Sequence, residues 1–190
     1  MRLANSDRSW GWGARALHWT MAALIVFQLA LGVRMTEFTQ DLATRFELTQ
    51  MHKSWGAVIF ALALLRLGWR LANRASPALP AGTPPWQARA AGASHVLLYL
   101  LMLALPLSGW VAAAASPTQD MLGIENMVFD WFALPDPWVP GEKTVADVAA
   151  TLHRLAALSL AVLLGVHAAA ALRHHFVDRD DVLSRMTFGD

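Results

Sequence analysis

His153-Arg154-Leu155-Ala156-Ala157-Leu158-Ser159-Leu160-Ala161-Val162-Leu163-Leu164-Gly165-Val166-His167 begins and ends with histidine and carries one formal charge, Arg154. Read as an α-helix, the fourteen steps between the histidines rise about 21 Å and return the second to within about 40° of the first. One helix face therefore offers two imidazoles, one towards each end. A hydrocarbon layer about 30 Å thick would place one near each membrane surface.

The run lies inside Val148 to Leu172, which has no other charged residue, and three more apolar stretches precede it. Ala16 to Val33 is uncharged. His52 to Leu71 is interrupted by Arg66 and Arg70, both near its end, from where long side chains reach the headgroups. The third lies within Ala90 to Gln119, a window without Lys, Arg, Asp or Glu, and Pro106 is expected to kink it. Each approaches the roughly 20 residues that cross a bilayer. The expected architecture is all-α: one domain over residues 1–190, a four-helix transmembrane bundle with spans near 15–35, 52–72, 92–115 and 146–173.

Composition agrees. Of 190 residues 56% are hydrophobic and only 15% charged, against about a quarter charged in soluble domains. So little polar surface cannot solvate a globule, and the bilayer is the expected solvent. A net charge of +1 carries no nucleic-acid footprint. The absence of cysteine excludes disulfides, iron–sulfur clusters and covalent haem attachment. Nine tryptophans suit interfacial anchoring. Arg2, Arg8 and Arg15 precede the first stretch as they would a signal peptide, but Gly32-Val33-Arg34-Met35 is a poor cleavage site, so a retained helix is expected.

Four spans put both termini on one side. That side collects ten arginines: Arg2, Arg8, Arg15, Arg66, Arg70, Arg74, Arg89, Arg173, Arg179 and Arg185. The other has Arg34, Arg45, Lys53, Lys143 and Arg154 against nine acidic residues, a net of −4. The positive-inside rule then places both termini in the cytoplasm. The proline-rich segment 75–85 reads as an extended inner loop, and 116–144 as an outer segment lying partly amphipathic on the membrane surface.

Histidines at membrane depth are rare and point to function. Of the seven, His18, His52, His95, His153 and His167 fall in or at the ends of the stretches. His52 is level with His153 on the outside, and His18 with His167 on the inside. His95 competes with His18 on geometry alone. Two pairs of neutral imidazoles suit two haem irons better than one zinc, which wants four ligands at a point. Gly32, Gly56 and Gly109 fall where a flat macrocycle needs room, or else where helices pack closely. Arg66, fourteen residues after His52, faces the inner level. There it is a candidate partner of haem propionates, as Lys53 and Arg154 are outside. His174 and His175 lie about 10 Å beyond His167 and are not expected to be ligands.

The chain resembles the bacterial cytochrome b561 family. The likeness rests on Leu17-His18-Trp19, His52-Lys53-Ser54-Trp55-Gly56 with Arg66, Ser94-His95 to Leu100 with Pro106 and Gly109, His153, His167 to Phe176, Asp180-Asp181 and Arg185-Met186. It covers most of the chain. It implies a multi-pass protein of the bacterial inner membrane with two haem b groups. His18 and His167 would hold the inner iron, His52 and His153 the outer iron, and the histidine matching His95 none. It also implies ubiquinone or another quinone as substrate. Two functions follow: electron transfer between the quinone pool and a periplasmic redox protein, or superoxide:ubiquinone oxidoreductase activity. Trp131 and Trp138, with Lys53 and Arg154, are candidate surroundings of the quinone. The acidic outer side favours the first function, because steering draws an anion to positive charge.

Overall fold

The computed structural model describes residues 2–80 and 82–187. Four long helices dominate: α1 (Trp12–Glu37), α2 (Leu42–Ala72), α3 (Pro85–Ala114) and α5 (Lys143–Arg173). Their lengths of 26, 31, 30 and 31 residues correspond to about 39–47 Å, more than a hydrocarbon core requires. In the most apolar part of each spanning helix only 6–17% of residues are buried within the molecule. Apolar exposure on that scale needs lipid, not water, around it.

Helix boundaries follow local chemistry. The Asp41 carboxylate accepts from Thr44 N at 2.7 Å, an N-cap that starts α2 at Leu42. His52 consequently stands ten residues inside this helix, and not at its mouth. Pro85 opens α3 at a position where a missing N–H costs nothing. Pro106, inside α3, removes the bond to the Met102 carbonyl.

Helix α1 packs along α2, α2 along α3, and α3 along α5. The central core is Met21, Ile25, Ile59, Ala63, Met102 and Leu160. Ile25, Ile59 and Met102 each lie seven residues after His18, His52 and His95, and Leu160 is midway between His153 and His167. Seven residues are about 10.5 Å of helix. The four helices thus place an apolar layer between two levels of imidazoles.

The N-terminal segment, the α2–α3 connection and the C-terminal tail meet at one end. Asn5 Nδ2 donates to the carbonyls of Asn73 and Ala75, Trp19 Nε1 to Met186 O, and Arg185 Nη1 to Ala78 O. We call this the terminal end and the opposite one the loop end.

At the loop end, the segment expected to lie along the membrane surface folds instead onto the bundle. It forms α4 (Pro117–Met121) and a two-stranded hairpin, β1 (Met127–Val128) with β2 (Phe132–Ala133), Met127 opposite Ala133. Ser54 Oγ on α2 ties it down, accepting from Phe129 N at 2.9 Å. After α5 a π-helical turn, His174–Asp178, leads to α6 (Ser184–Thr187).

Candidate metal centres

At the loop end the rings of His52 on α2 and His153 on α5 face each other, centroids 6.1 Å apart and planes at 80°. His153 Nδ1 lies 2.9 Å from the carbonyl of Leu105 on α3. A carbonyl only accepts, so Nδ1 carries the proton and Nε2 keeps its lone pair. Ser108 Oγ donates to the same carbonyl at 2.9 Å and lies 3.3 Å from Nδ1. Gly109 makes the approach possible: a Cβ there would be 3.0 Å from His153 Cε1 and 3.1 Å from Nδ1. A Cβ on Gly32 would meet His52 Cε1 at an ordinary 3.5 Å. Gly56 faces Gln28 instead, so it serves helix packing. Gln28 Nε2 donates to the His52 carbonyl at 2.7 Å.

At the terminal end three histidines gather. His18 on α1 and His167 on α5 have centroids 6.2 Å apart, with planes at 67°. His95 on α3 is 5.6 Å from the same His167. Arg66 Nη2 on α2 is 2.9 Å from His18 Nδ1, and the guanidinium carbon lies 5.8 Å from the centre of the Tyr99 ring. Since a guanidinium only donates, His18 Nδ1 accepts here and its proton is on Nε2.

The arrangement suits a metal bound between paired imidazoles. With a metal–nitrogen bond of about 2 Å and about 1 Å from nitrogen to ring centre, two imidazoles holding one metal between them would have centroids about 6 Å apart. His52–His153 and His18–His167 meet that spacing, and His95–His167, at 5.6 Å, comes close to it. Helix α5 runs closely along α3 but has no comparable approach to α1 or α2. Its histidine rings bridge a space that backbone packing leaves open. The His153–Leu105 bond supplies the acceptor that metal-ligating histidines characteristically use to fix their tautomer. Among the described residues, His52 Nδ1 is buried without a partner. The His18–Arg66 bond sets a condition: a metal on His18 Nε2 requires the proton to move to Nδ1 and Arg66 to turn away.

The remaining candidates are dispersed. Lys53 Nζ donates to Gln119 Oε1 at 3.1 Å and Glu125 O at 3.4 Å. Arg154 is exposed and, among the described residues, bonds only Thr151 Oγ1 on its own helix, at 3.4 Å. Trp131 is 80% exposed, and Trp138 Nε1 donates to Glu142; neither tryptophan shares a hydrogen-bond partner with Lys53 or Arg154. His174 bonds Asp180 at 2.5 Å and belongs to neither cluster. Sequence reading missed Leu105, Ser108 and Gln28. A main-chain carbonyl has no sequence signal, but a glutamine within an apolar stretch was a visible one.

A family model described as prokaryotic cytochrome b561 matches residues 9–189. The chain belongs to the prokaryotic cytochrome b561 family. It is 32% identical over 186 residues to cytochrome b561 homolog 2 of Escherichia coli (strain K12), covering 98% of this chain and 95% of that one. Cytochrome b561 homolog 1 of the same organism is 28% identical, over 90% and 92% of the two chains. The probable superoxide oxidase CybB of Yersinia pestis is 27% identical, over 90% of each. As a cytochrome b561, the chain is a multi-pass plasma-membrane protein of electron transfer. Haem b is the cofactor that this membership implies.

Proposed function

We propose that this cytochrome b561 holds two haem b groups and exchanges electrons between the membrane quinone pool and a periplasmic redox partner. One haem is assigned to His52 and His153, the other to His18 and His167, with His95 a neighbour and not a ligand. Both termini lie in the cytoplasm, which makes the terminal end the inner one. The observation that carries this reading is the pair of imidazole contacts on one helix, 6.1 and 6.2 Å between centroids, at two levels about 21 Å apart.

Bound haem supplies a one-electron ferric–ferrous couple. The residues of the chain hold and insulate it. Leu105 fixes the tautomer of His153. The layer of Ile25, Ile59, Met102 and Leu160 keeps water from the space between the two levels. Arg66 brings a positive charge to the inner level, where it is a candidate partner for propionate once it leaves His18.

Superoxide:ubiquinone oxidoreductase activity is the second reading, favoured by the relative whose name is probable superoxide oxidase. It asks for a positive funnel at the outer pair. Lys53 instead bonds loop oxygens and Arg154 its own helix, so electron transfer ranks first. Anaerobic addition of ubiquinol to the oxidised protein, then separately of superoxide, tests the order. Quinol is expected to reduce the haems within the mixing experiment and superoxide to do so far below the diffusion limit. The reverse pattern contradicts the ranking.

A further inference from the structure

Helix α2 turns one face to the interior. Ile59 and Ala63, both in the core, follow His52 by seven and eleven residues and return to within about 20° of it. Ser54, two residues after His52, stands about 200° round the helix, on the side that would otherwise face lipid. It is nevertheless only 3% exposed. Strand β1 packs against α2 there, and Ser54 Oγ accepts from Phe129 N at 2.9 Å. The β1–β2 hairpin thus lies along the outward side of the bundle.

A row of rings sets its depth. Phe129 is 5.3 Å from Trp55 on α2, and Trp55 is 5.8 Å from Phe27 on α1, centroid to centroid. Phe27 belongs to the uncharged stretch of α1, seven residues before Arg34 and so about 10 Å below it. Trp131 lies 5.6 Å beyond Phe129. It is 80% exposed and Phe132 52%. Through this row the hairpin continues the exposed apolar surface of α1, where Val26 is 56% exposed. Its turn is shaped to present the rings. Phe129 and Asp130 are both left-handed, at φ 48° and 58°, and Trp131 N donates to Val128 O at 2.9 Å. Turns of this hand ordinarily take Asn-Gly, and a bulky residue is strained there. Contact with Trp55 and Ser54 offsets that strain. Leu134 N donates to Asn126 O at 2.9 Å, so the N–H groups of Phe129, Trp131 and Leu134 are all paired, as a segment with little water around it requires.

We propose that the hairpin is a finger seated in the leaflet at the loop end, with Trp131 and Phe132 touching phospholipid at the boundary between headgroups and acyl chains. Tryptophan suits that boundary, because its ring is apolar and its N–H donates to headgroup oxygens or water. Asp130, exposed at the tip, limits the depth, since a carboxylate and open strand edges stay out of the hydrocarbon. The partner is lipid and not a protein, because the rings of the finger run without a break into a helix surface that lipid covers.

The test is photolabelling of the purified full-length holoprotein in phosphatidylcholine vesicles. The lipid carries a diazirine on an acyl chain, close to the glycerol in one preparation and at the chain end in another. Mass spectrometry maps the adducts. Trp131 or Phe132 is expected to be labelled by the shallow probe, and Val26 by at least one of the two. Adducts at Val26 with none on the hairpin overturn the finger. The chain has no cysteine, so Trp131→Cys carries a single thiol, and an unchanged haem spectrum certifies its fold. In vesicles it is expected to react with a charged maleimide about tenfold more slowly than Gln40→Cys, in the exposed α1–α2 connection, because a charged reagent is kept out of the acyl region. Equal rates overturn the proposal and put the tip in water. Slow reaction without lipid adducts overturns it too, and means that protein, such as a second copy, covers the tip. Neither readout involves electron transfer, so the outcome is independent of the haem assignment.

Discussion

Arg66 Nη2 lies 2.9 Å from Nδ1 of His18. The guanidinium carbon of Arg66 also lies 5.8 Å from the centre of the Tyr99 ring. A positive charge near the inner pair favours the ferrous over the ferric form of a nearby iron, because reduction lowers the local positive charge. Arg66→Leu is expected to lower the midpoint potential of the inner haem by tens of millivolts and to leave the outer one in place. Potentiometric titration of the two optical components reads both. An unmoved inner midpoint means that Arg66 does not act on that haem.

Gly109 and Gly32 differ in what a methyl group would meet. At Gly109 the added carbon comes within 3.0 Å of His153, whose ring is already anchored to Leu105. At Gly32 it meets His52 at 3.5 Å, ordinary contact distance. Gly109→Ala is expected to displace His153, reducing outer-haem occupancy at least twofold in the spectrum of the purified protein. Gly32→Ala is expected to retain it. Equal occupancy in the two variants contradicts the close approach of His153 to α3.

Leu160 is 3% exposed and Leu158 64% exposed, two residues apart on α5. Leu160→Ala empties part of the layer between the two imidazole levels and is expected to cost about 2–5 kcal/mol. Leu158→Ala, on the lipid face, is expected to cost under about 1 kcal/mol. Thermal unfolding in one detergent compares them, and a larger loss in Leu158→Ala would place the core elsewhere.

Charge separates the two functions. A basic protein partner reacts more slowly as salt rises, and the loss tracks Asp120, Glu125, Asp130 and Asp136. An anionic substrate is also salt-sensitive, but through Lys53 and Arg154, since exposed charges screen over about 8–10 Å. Stopped-flow haem reduction by superoxide at several ionic strengths, in both neutralised variants, is expected to be slow and little affected by the Lys53 and Arg154 substitutions. Rapid reduction that collapses only when these two are neutralised makes the protein a superoxide oxidase.

Much of the bundle was legible because spanning helices are dictated by run length and charge, and a fourteen-residue interval places His153 and His167 on one face whatever surrounds them. The pairings could be narrowed from depth alone. What depth could not rank was His18 against His95, since both come within about 6 Å of His167. Hydropathy located the apolar part of α2 but not its start, which depends on the Asp41 cap. The folded loop was missed because its order comes from long-range bonds, such as Ser54 to Phe129, that leave no periodic trace. Arg66 was read at the right depth, but its bond to His18 depends on how α1 and α2 are turned towards each other.

A pyridine haemochrome count on the purified, fully reconstituted protein decides whether two histidine pairs each hold an iron. Two b haems per chain are expected. One is expected in His52→Ala or His153→Ala, with the inner spectrum kept, one in His18→Ala, with the outer spectrum kept, and two in His95→Ala. A single haem in the unaltered protein, or loss of a haem in His95→Ala but not in His18→Ala, would contradict these pairings.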